Sequence, residues 1–183
     1  MKRYYLSETG NRKPSVGRKL RIIISEHGIH AIAVYRLTQY VDSVRLKAPL
    51  LPFKYAALSL CHFLNFVVKL FCEIHIDRTA VIESGLCIGH FGGIYIGRCH
   101  IGRNCTIHQQ VRIGQHSVPD RELPSPWIGD NVYIGPHAVI NGPVRIGHNA
   151  TVSAGSVVKS DVKENSLVAG NPARVIKLNY VRG

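Results

Sequence analysis

Acidic residues are scarce in this sequence. Its 183 residues include 11 Asp and Glu against 23 Lys and Arg, a formal net charge of +12 at pH 7. A basic chain suits nucleic acid, an acidic membrane surface or an anionic substrate, although a plain solvated basic face gives the same count. Nucleic acid is disfavoured, because no recognition helix or aromatic stacking platform accompanies the basic residues.

The sequence also shows no cysteine pairing pattern, and its start does not predict a secretory leader. The five cysteines, at 61, 72, 87, 99 and 105, include no CxxC pair. The first twenty residues are charged and have no apolar core, so they do not look like a signal peptide. We therefore expect a cytoplasmic chain with reduced thiols. Its length allows one main domain and a smaller helical segment.

What the C-terminal half does contain is an apolar residue at every sixth position. The unbroken series is Ile128, Ile134, Ile140, Ile146, Val152 and Val158. Four residues after each member comes a small or β-branched residue, namely Val132, Ala138, Val144, Ala150, Ser156 and Val162. A period of six fits neither a helix nor an alternating strand. It is typical of a solenoid in which each six-residue unit forms one flat wall and three units complete a coil.

The same register extends backward to about residue 74. A nine-residue insertion interrupts it between Ile113 and Ile128, which predicts a loop over 115–126. Long loops in compact repeats are usually functional. A glycine follows the apolar residue in many units, and we expect the turns there to need a positive φ. The pattern divides the chain into a helical segment, a β-helix and a C-terminal cap, with bounds 1–73, 74–164 and 165–183.

The first 73 residues have no repeat and look like two helices. We predict helices over 16–46 and, after a break at Pro49 and Pro52, over 56–71. The second is strongly apolar, but polar residues interrupt it and it is too short to assign as a bilayer span. It either packs on the β-helix or a neighbouring subunit, or lies on an anionic membrane. Three lysines would favour the membrane: Lys47, Lys54 and Lys69.

Two C-terminal segments, Ser153–Val158 and Ala169–Ile176 with its Asn-Pro-Ala-Arg, resemble the hexapeptide acyltransferases. Upstream, Ile74–Ile94 is similar to the serine O-acetyltransferase branch of that superfamily. The resemblance implies a mainly β fold, a left-handed parallel β-helix of hexapeptide repeats with an N-terminal α-helical segment. It also implies acetyl transfer from acetyl-CoA to a hydroxyl, by a homotrimer or a dimer of trimers with sites between subunits.

Histidine is the expected catalytic base. An alcohol is a poor nucleophile at neutral pH, so its attack on a thioester needs a base, and imidazole has a suitable pKa. His90, between Gly89 and Phe91-Gly92-Gly93, matches the family's base. His116 is its rival, because many sugar acetyltransferases of the superfamily place their base on such an extended loop. His108 is expected near the same cleft.

No metal is expected. Some left-handed β-helices are zinc carbonic anhydrases, whose metal needs three imidazoles, two of them five residues apart in sequence. The histidine spacings in this chain include no such pair.

The donor, acetyl-CoA, needs open backbone along its pantetheine arm and cations at its phosphates. The positions that match the family for the arm are Gly135, Ser153, Ala154 and Gly155. The candidate cations for the phosphates are Lys159, Arg174 and Lys177.

Two departures from the serine branch decide the predicted acceptor. Serine enzymes carry an Asp immediately before the catalytic His and an Arg-His pair before the next coil. This chain has Gly89 at the first position and no such pair in Leu123–Ile128. We therefore predict a saccharide or polysaccharide precursor as acceptor, at the inner face of the cell membrane. The residues expected around it are Tyr95, His108, Asp120, Arg121 and Trp127. The alternatives are serine O-acetyltransferase of cysteine biosynthesis and a non-catalytic β-helix scaffold.

Overall fold

The computed structural model describes residues 17, 26–45, 50–90, 92–114 and 125–182. Two helices, α1 (His27–Ser43) and α2 (Leu51–Cys72), precede fifteen short strands. The strands in chain order are β1 (Ile74–Ile76), β2 (Val81–Ile82), β3 (Cys87–Ile88), β4 (Ile94–Ile96), β5 (His100–Ile101), β6 (Thr106–Ile107), β7 (Arg112–Gly114), β8 (Trp127–Ile128), β9 (Tyr133–Ile134), β10 (Val139–Asn141), β11 (Arg145–Ile146), β12 (Thr151–Val152), β13 (Val157–Val158), β14 (Ser166–Ala169) and β15 (Arg174–Leu178).

Three parallel sheets form the walls of a prism. We call them wall A (β1-β4-β7-β10-β13), wall B (β2-β5-β8-β11) and wall C (β3-β6-β9-β12-β14). Up to β13, successive strands along the chain go to successive walls, and every third strand pairs with the one a coil below. Between β13 and β14, wall B is continued only by an isolated bridge between Ile146 and Val162. The predicted mainly β fold, a left-handed parallel β-helix with an N-terminal helical segment, is confirmed.

The period-six residues line the inside of the prism. The largest of them are fully buried: Ile88, Ile94, Ile96, Ile101, Ile107, Ile113, Ile128, Ile134, Ile140 and Ile146. Stacking identical side chains in every coil gives a continuous core from units that could not bury their apolar face alone. The 115–126 insertion leaves this register intact, because β7 pairs with β10 on wall A across the interruption.

The glycines that follow these residues have a different role from the one expected. Only Gly114 among those at 89, 97, 102, 114, 129, 135 and 147 has a positive φ. At all the others except Gly97, a Cβ atom would collide with the next coil; at Gly135 it would come 2.7 Å from the backbone nitrogen of Ala154. At Gly97 it would come within 3.2 Å of Ile113 O, a tight contact. Elsewhere, side-chain-bearing residues adopt the left-handed turns, among them Asn104, Asn131, Asn149 and Asn165. The positive-φ prediction is therefore wrong for most of these glycines.

The first coil is covered by α1. Three of its side chains donate hydrogen bonds to backbone carbonyls of that coil: Tyr35 to Ala80 (2.7 Å), Arg36 to Glu83 (2.7 Å) and Gln39 to Arg78 (2.7 Å). Solenoid ends need such covers, since no further coil pairs with them. At the other end, β15 pairs antiparallel with β14.

The second helix is longer than predicted. It begins at Leu51, five residues before the expected start, because Pro52 lies in its first turn, where a missing N–H costs nothing. The expectation that Pro52 breaks the chain is therefore wrong. For the first helix, residues 16, 18–25 and 46 of the predicted range lie outside the described residues.

All five cysteines lie in described residues, form no disulfide with one another and are buried. Burial raises the pKa of Cys99 to about 12, so its thiol stays protonated at neutral pH. These side chains fill space in the interior of the described part of the chain.

Candidate active site

One edge of the prism carries several of the predicted site residues. It runs along the end of wall C, where the chain leaves each strand: Gly89 after β3, His108 after β6, Gly135 after β9 and Ser153 after β12. Backbone hydrogen bonds join it coil to coil, as from Gly89 N–H to Ile107 O (2.8 Å) and from Gly135 N–H to Val152 O (2.8 Å). We call this line of residues the His90 edge, because His90 follows Gly89 at its lower end.

His90 is exposed at the start of a glycine turn. Gly92 and Gly93 have φ of 106° and 65°, values that residues with a side chain rarely adopt, so this turn needs glycine. Gly92 N–H donates to Cys72 O (3.2 Å), which attaches the turn to the end of α2. The His90 side chain is exposed to solvent beside this turn.

A line of side chains extends from His90 along wall C. The ring of His108 lies 5.9 Å from that of His90 and 5.0 Å from that of Tyr133, measured between centroids. The guanidinium carbon of Arg182 lies 4.8 Å above the centre of the Tyr133 ring. Two imidazoles, a phenol and a guanidinium therefore share one face of the protein.

His108 fills the space beside Gly89. A Cβ atom at position 89 would come 2.8 Å from Cε1 and 2.9 Å from Nδ1 of His108. Real Cβ atoms essentially never come within 3.0 Å of another heavy atom in this way, so a side chain at position 89 would displace the imidazole of His108. Glycine at 89 is explained by this packing.

The pKa of His108 is lowered. Burial is the main cause, and the nearby His90 and Arg182 add to it, because both disfavour a second positive charge. Its imidazole is therefore neutral at physiological pH and has one nitrogen that donates a hydrogen bond and one that accepts.

The predicted donor residues continue the His90 edge. Gly135 is buried, Ser153 is half-buried, and Ala154 and Gly155 are exposed one coil further along. Since coils are spaced by one strand separation, His90 and Ser153 are about 14 Å apart along the edge. Lys159, Arg174 and Lys177 are exposed beyond this end, the last two on β15.

Tyr95 lies on wall A. Its ring stacks on that of His75 with centroids 4.9 Å apart, and burial lowers the pKa of His75. Tyr95 also lines a groove of about 140 Å³ with Arg112, Val139 and Asn141. The groove extends to Gly114 and Asn141, the last residues of their strands, so it runs away from the corner at which the His90 turn enters wall A.

The structure does not bring Trp127 to this face. It lies on wall B, stacked 5.7 Å from His100, with the guanidinium of Arg145 5.3 Å above its ring. His148 contacts its edge. Three further candidates, His116, Asp120 and Arg121, lie outside the described residues.

Sequence reasoning missed Tyr133 and Arg182. Tyr133 directly precedes the inward-facing Ile134, and side chains alternate along a strand. That alternation is the signal that could have placed Tyr133 on the outer surface of its wall. No sequence signal pointed to Arg182, since only the folded tail places it against wall C. Among the described residues, no group of three or more His, Cys, Asp or Glu side chains is arranged to hold a metal ion.

Comparison with known proteins gives a consistent picture. Residues 125–160 match the family "Bacterial transferase hexapeptide (six repeats)". A serine acetyltransferase of Staphylococcus aureus is 31% identical over 170 residues, covering 92% of this chain and 74% of its own length. One from Synechococcus elongatus is 30% identical over 172 residues, and this chain spans 66% of it. The crystal structure of serine acetyltransferase from Brucella abortus in complex with coenzyme A has a TM-score of 0.77 at 26% identity, covering 98% of this chain and 68% of that one.

These matches correct the predicted acceptor. The similarity to proteins named serine acetyltransferase extends over more than nine-tenths of the chain, so the saccharide prediction and its link to polysaccharide biosynthesis are wrong. The inference had relied on local departures at Gly89 and Leu123–Ile128. With its hexapeptide coils, its N-terminal helices and this extent of similarity, the chain belongs to the serine acetyltransferase family of the hexapeptide-repeat acyltransferases.

Proposed function

We propose that this chain transfers the acetyl group of acetyl-CoA to the hydroxyl of L-serine, with His90 as the general base. One observation carries the proposal: His90 is held on a glycine turn at the end of an edge whose other members are candidates for the pantetheine arm. The names of the relatives support serine as acceptor and coenzyme A as donor, including a Neisseria gonorrhoeae structure in complex with serine. The proposed location is the cytoplasm.

The chemistry needs no protein nucleophile. His90 removes the hydroxyl proton as the serine oxygen attacks the thioester carbonyl. The new carbon–oxygen bond forms, the carbon–sulfur bond breaks, and the thiolate of coenzyme A leaves with the proton from the His90 imidazolium. His108, neutral beside it, stabilises the position of the imidazole without adding a competing charge.

We infer that the active unit is a homotrimer or a dimer of trimers. His90 is exposed, and the face that includes it is open to solvent in a single chain. A neighbouring subunit packed on this face would exclude water from the thioester, which strengthens every electrostatic contact there.

The first experiment measures release of free thiol from acetyl-CoA with L-serine, ethanolamine or neutral sugars as acceptor. We expect saturable turnover with L-serine and little with the sugars. Ethanolamine keeps the hydroxyl and the ammonium but lacks the carboxylate, so its KM reports how much the carboxylate contributes. Turnover with a sugar but not with serine would overturn the proposed acceptor, and none with any hydroxyl would favour a scaffold.

Arg182 is our candidate for the serine carboxylate. It supplies a cation near His108 on the face that carries His90, in a chain without the Arg-His pair. Replacing Arg182 with alanine should raise the KM for L-serine about tenfold or more, since a charge-assisted hydrogen bond is lost. The KM for ethanolamine and that for acetyl-CoA should change little.

Arg145→Ala is the matched control, because Arg145 lies over Trp127 in the same manner on wall B. It should leave every KM unchanged. A selective rise in the KM for acetyl-CoA in Arg182→Ala would instead assign Arg182 to a phosphate of the donor.

A further inference from the structure

The second helix presents an apolar face to solvent. Seven of its large side chains are 58–71% exposed: Phe53, Tyr55, Leu60, Phe63, Phe66, Leu70 and Phe71. At 100° per residue they fall within about half of the helix circumference, opposite the buried Cys61 and Cys72. We call these seven residues the α2 face. A contiguous apolar surface of this kind marks an interaction site.

The opposite side of α2 is anchored to the protein. Asn65 Nδ2 donates to Thr38 Oγ1 (3.0 Å), and Lys54 Nζ donates to the carbonyls of Asp42 (2.9 Å) and Val44 (2.7 Å). By length and composition the helix is able to cross a membrane, with a mean hydropathy of 1.5. Because its inner side is bonded to α1, only the α2 face is available to an apolar medium.

The charged side chains within α2 are all positive; the acidic residues next to it are Glu73, which follows its last residue, and Asp42, whose carboxylate pairs with Arg78 (2.8 Å). The helix contains no Asp or Glu, and residues 1–75 hold twelve basic residues against four acidic ones. His62 and the exposed Lys69 border the α2 face, and His62 is 3.1 Å from the guanidinium of Arg78. Apolar side chains bordered by cations are the composition of helices that lie in the interface of an anionic bilayer.

A second copy of the chain is a poorer occupant. Two α2 faces packed together would bring Lys69 of both copies to an interface to which α2 contributes no carboxylate. Like charges at an interface are unfavourable, whereas anionic headgroups would pair with each of them. We propose that the α2 face docks on an anionic lipid surface, with its aromatic side chains in the acyl–headgroup boundary and Lys69 at the headgroups.

Cosedimentation of the full chain with vesicles tests this directly. Vesicles of phosphatidylcholine alone are compared with vesicles that also contain phosphatidylglycerol. We expect binding to the anionic vesicles that weakens as salt is raised, because the charge attraction is screened. Phe63→Glu/Phe66→Glu should lower the binding by at least about tenfold, and Lys69→Gln should lower it about fivefold on anionic vesicles only.

Val81→Glu is the matched control, since Val81 is an equally exposed apolar residue (57%) on wall B. It should bind vesicles as the wild type does. Light scattering on the same proteins without vesicles reports the molecular mass of the assembly in solution. The proposal is overturned if the wild type does not bind anionic vesicles, or if the double variant binds equally well. A fall in mass in the double variant, without vesicle binding by the wild type, would assign the α2 face to contacts between copies.

Discussion

Replacing His90 with alanine is expected to lower kcat for acetyl transfer to L-serine by about 10²- to 10⁴-fold. This is the range that a positioned general base contributes, and the chain supplies no other base on that turn. The fold should not change, because the His90 ring is exposed and takes no part in the buried core. Steady-state kinetics with thiol detection measure the loss, and circular dichroism checks the fold.

His148→Ala is the corresponding control. His148 is also an exposed imidazole at a corner of the coils, where it accepts a hydrogen bond from Asp130 N–H (2.9 Å) on a different wall. Its removal should leave kcat within about twofold of the wild type, in keeping with a surface substitution. If His90→Ala kept wild-type kcat, the base would have to be another group, and His116 on the 115–126 loop would be the first to replace.

Gly89→Asp is expected to lower kcat by about 10²-fold, although it restores the residue that serine enzymes carry at this position. The new Cβ would come 2.8 Å from Cε1 of His108, so the imidazole has to leave its place between Gly89 and Tyr133. Displacing a group that supports the base by an ångström costs this much in rate. The KM for acetyl-CoA should change less than kcat.

The double variant Gly89→Asp/His108→Ala tests whether the loss in Gly89→Asp comes from displacing the His108 imidazole or from the new carboxylate itself. Without the imidazole there is room for the carboxylate beside His90, and we expect the double variant to be more active than Gly89→Asp alone. Residues in contact show such non-additivity, whereas independent sites do not. Rates of the two single variants and the double variant, measured over a range of pH, complete the cycle. Additive losses would mean that His108 and position 89 do not share one space.

The walls of the fold were predictable because their signal is local and repeated. The inward isoleucines from Ile128 to Ile146 occur at a fixed spacing of six, so they define the wall length without any knowledge of tertiary contacts. The helix starting at Leu51 was misjudged by five residues, since Pro52 reads as a breaker in isolation and as a first-turn residue in context. The glycines were predicted to allow a positive φ. Most of them are needed because a side chain there would collide with the next coil, a contact that the sequence alone does not reveal.

The candidate site was predictable only in part, for a related reason. His90 and Gly135 belong to the repeat, and their shared edge follows from the coil length. The acceptor was misjudged because Gly89 was compared with the family one position at a time. What occupies the space beside Gly89 is the side chain of His108, nineteen residues later, and the cation on that face is Arg182 from the tail. Both become visible only when distant segments are folded together.

The way in which the coils accommodate the 115–126 insertion has a consequence for how such a protein can change. A loop added at a corner leaves every strand pair above and below it in place, as β7 and β10 still match across it. Adding or losing a whole coil between His90 and Ser153 would instead move the two ends apart or together by about 4.8 Å. The number of coils therefore fixes the distance between His90 and Ser153. Loops at the corners can change, and acceptor preference with them, without altering that distance.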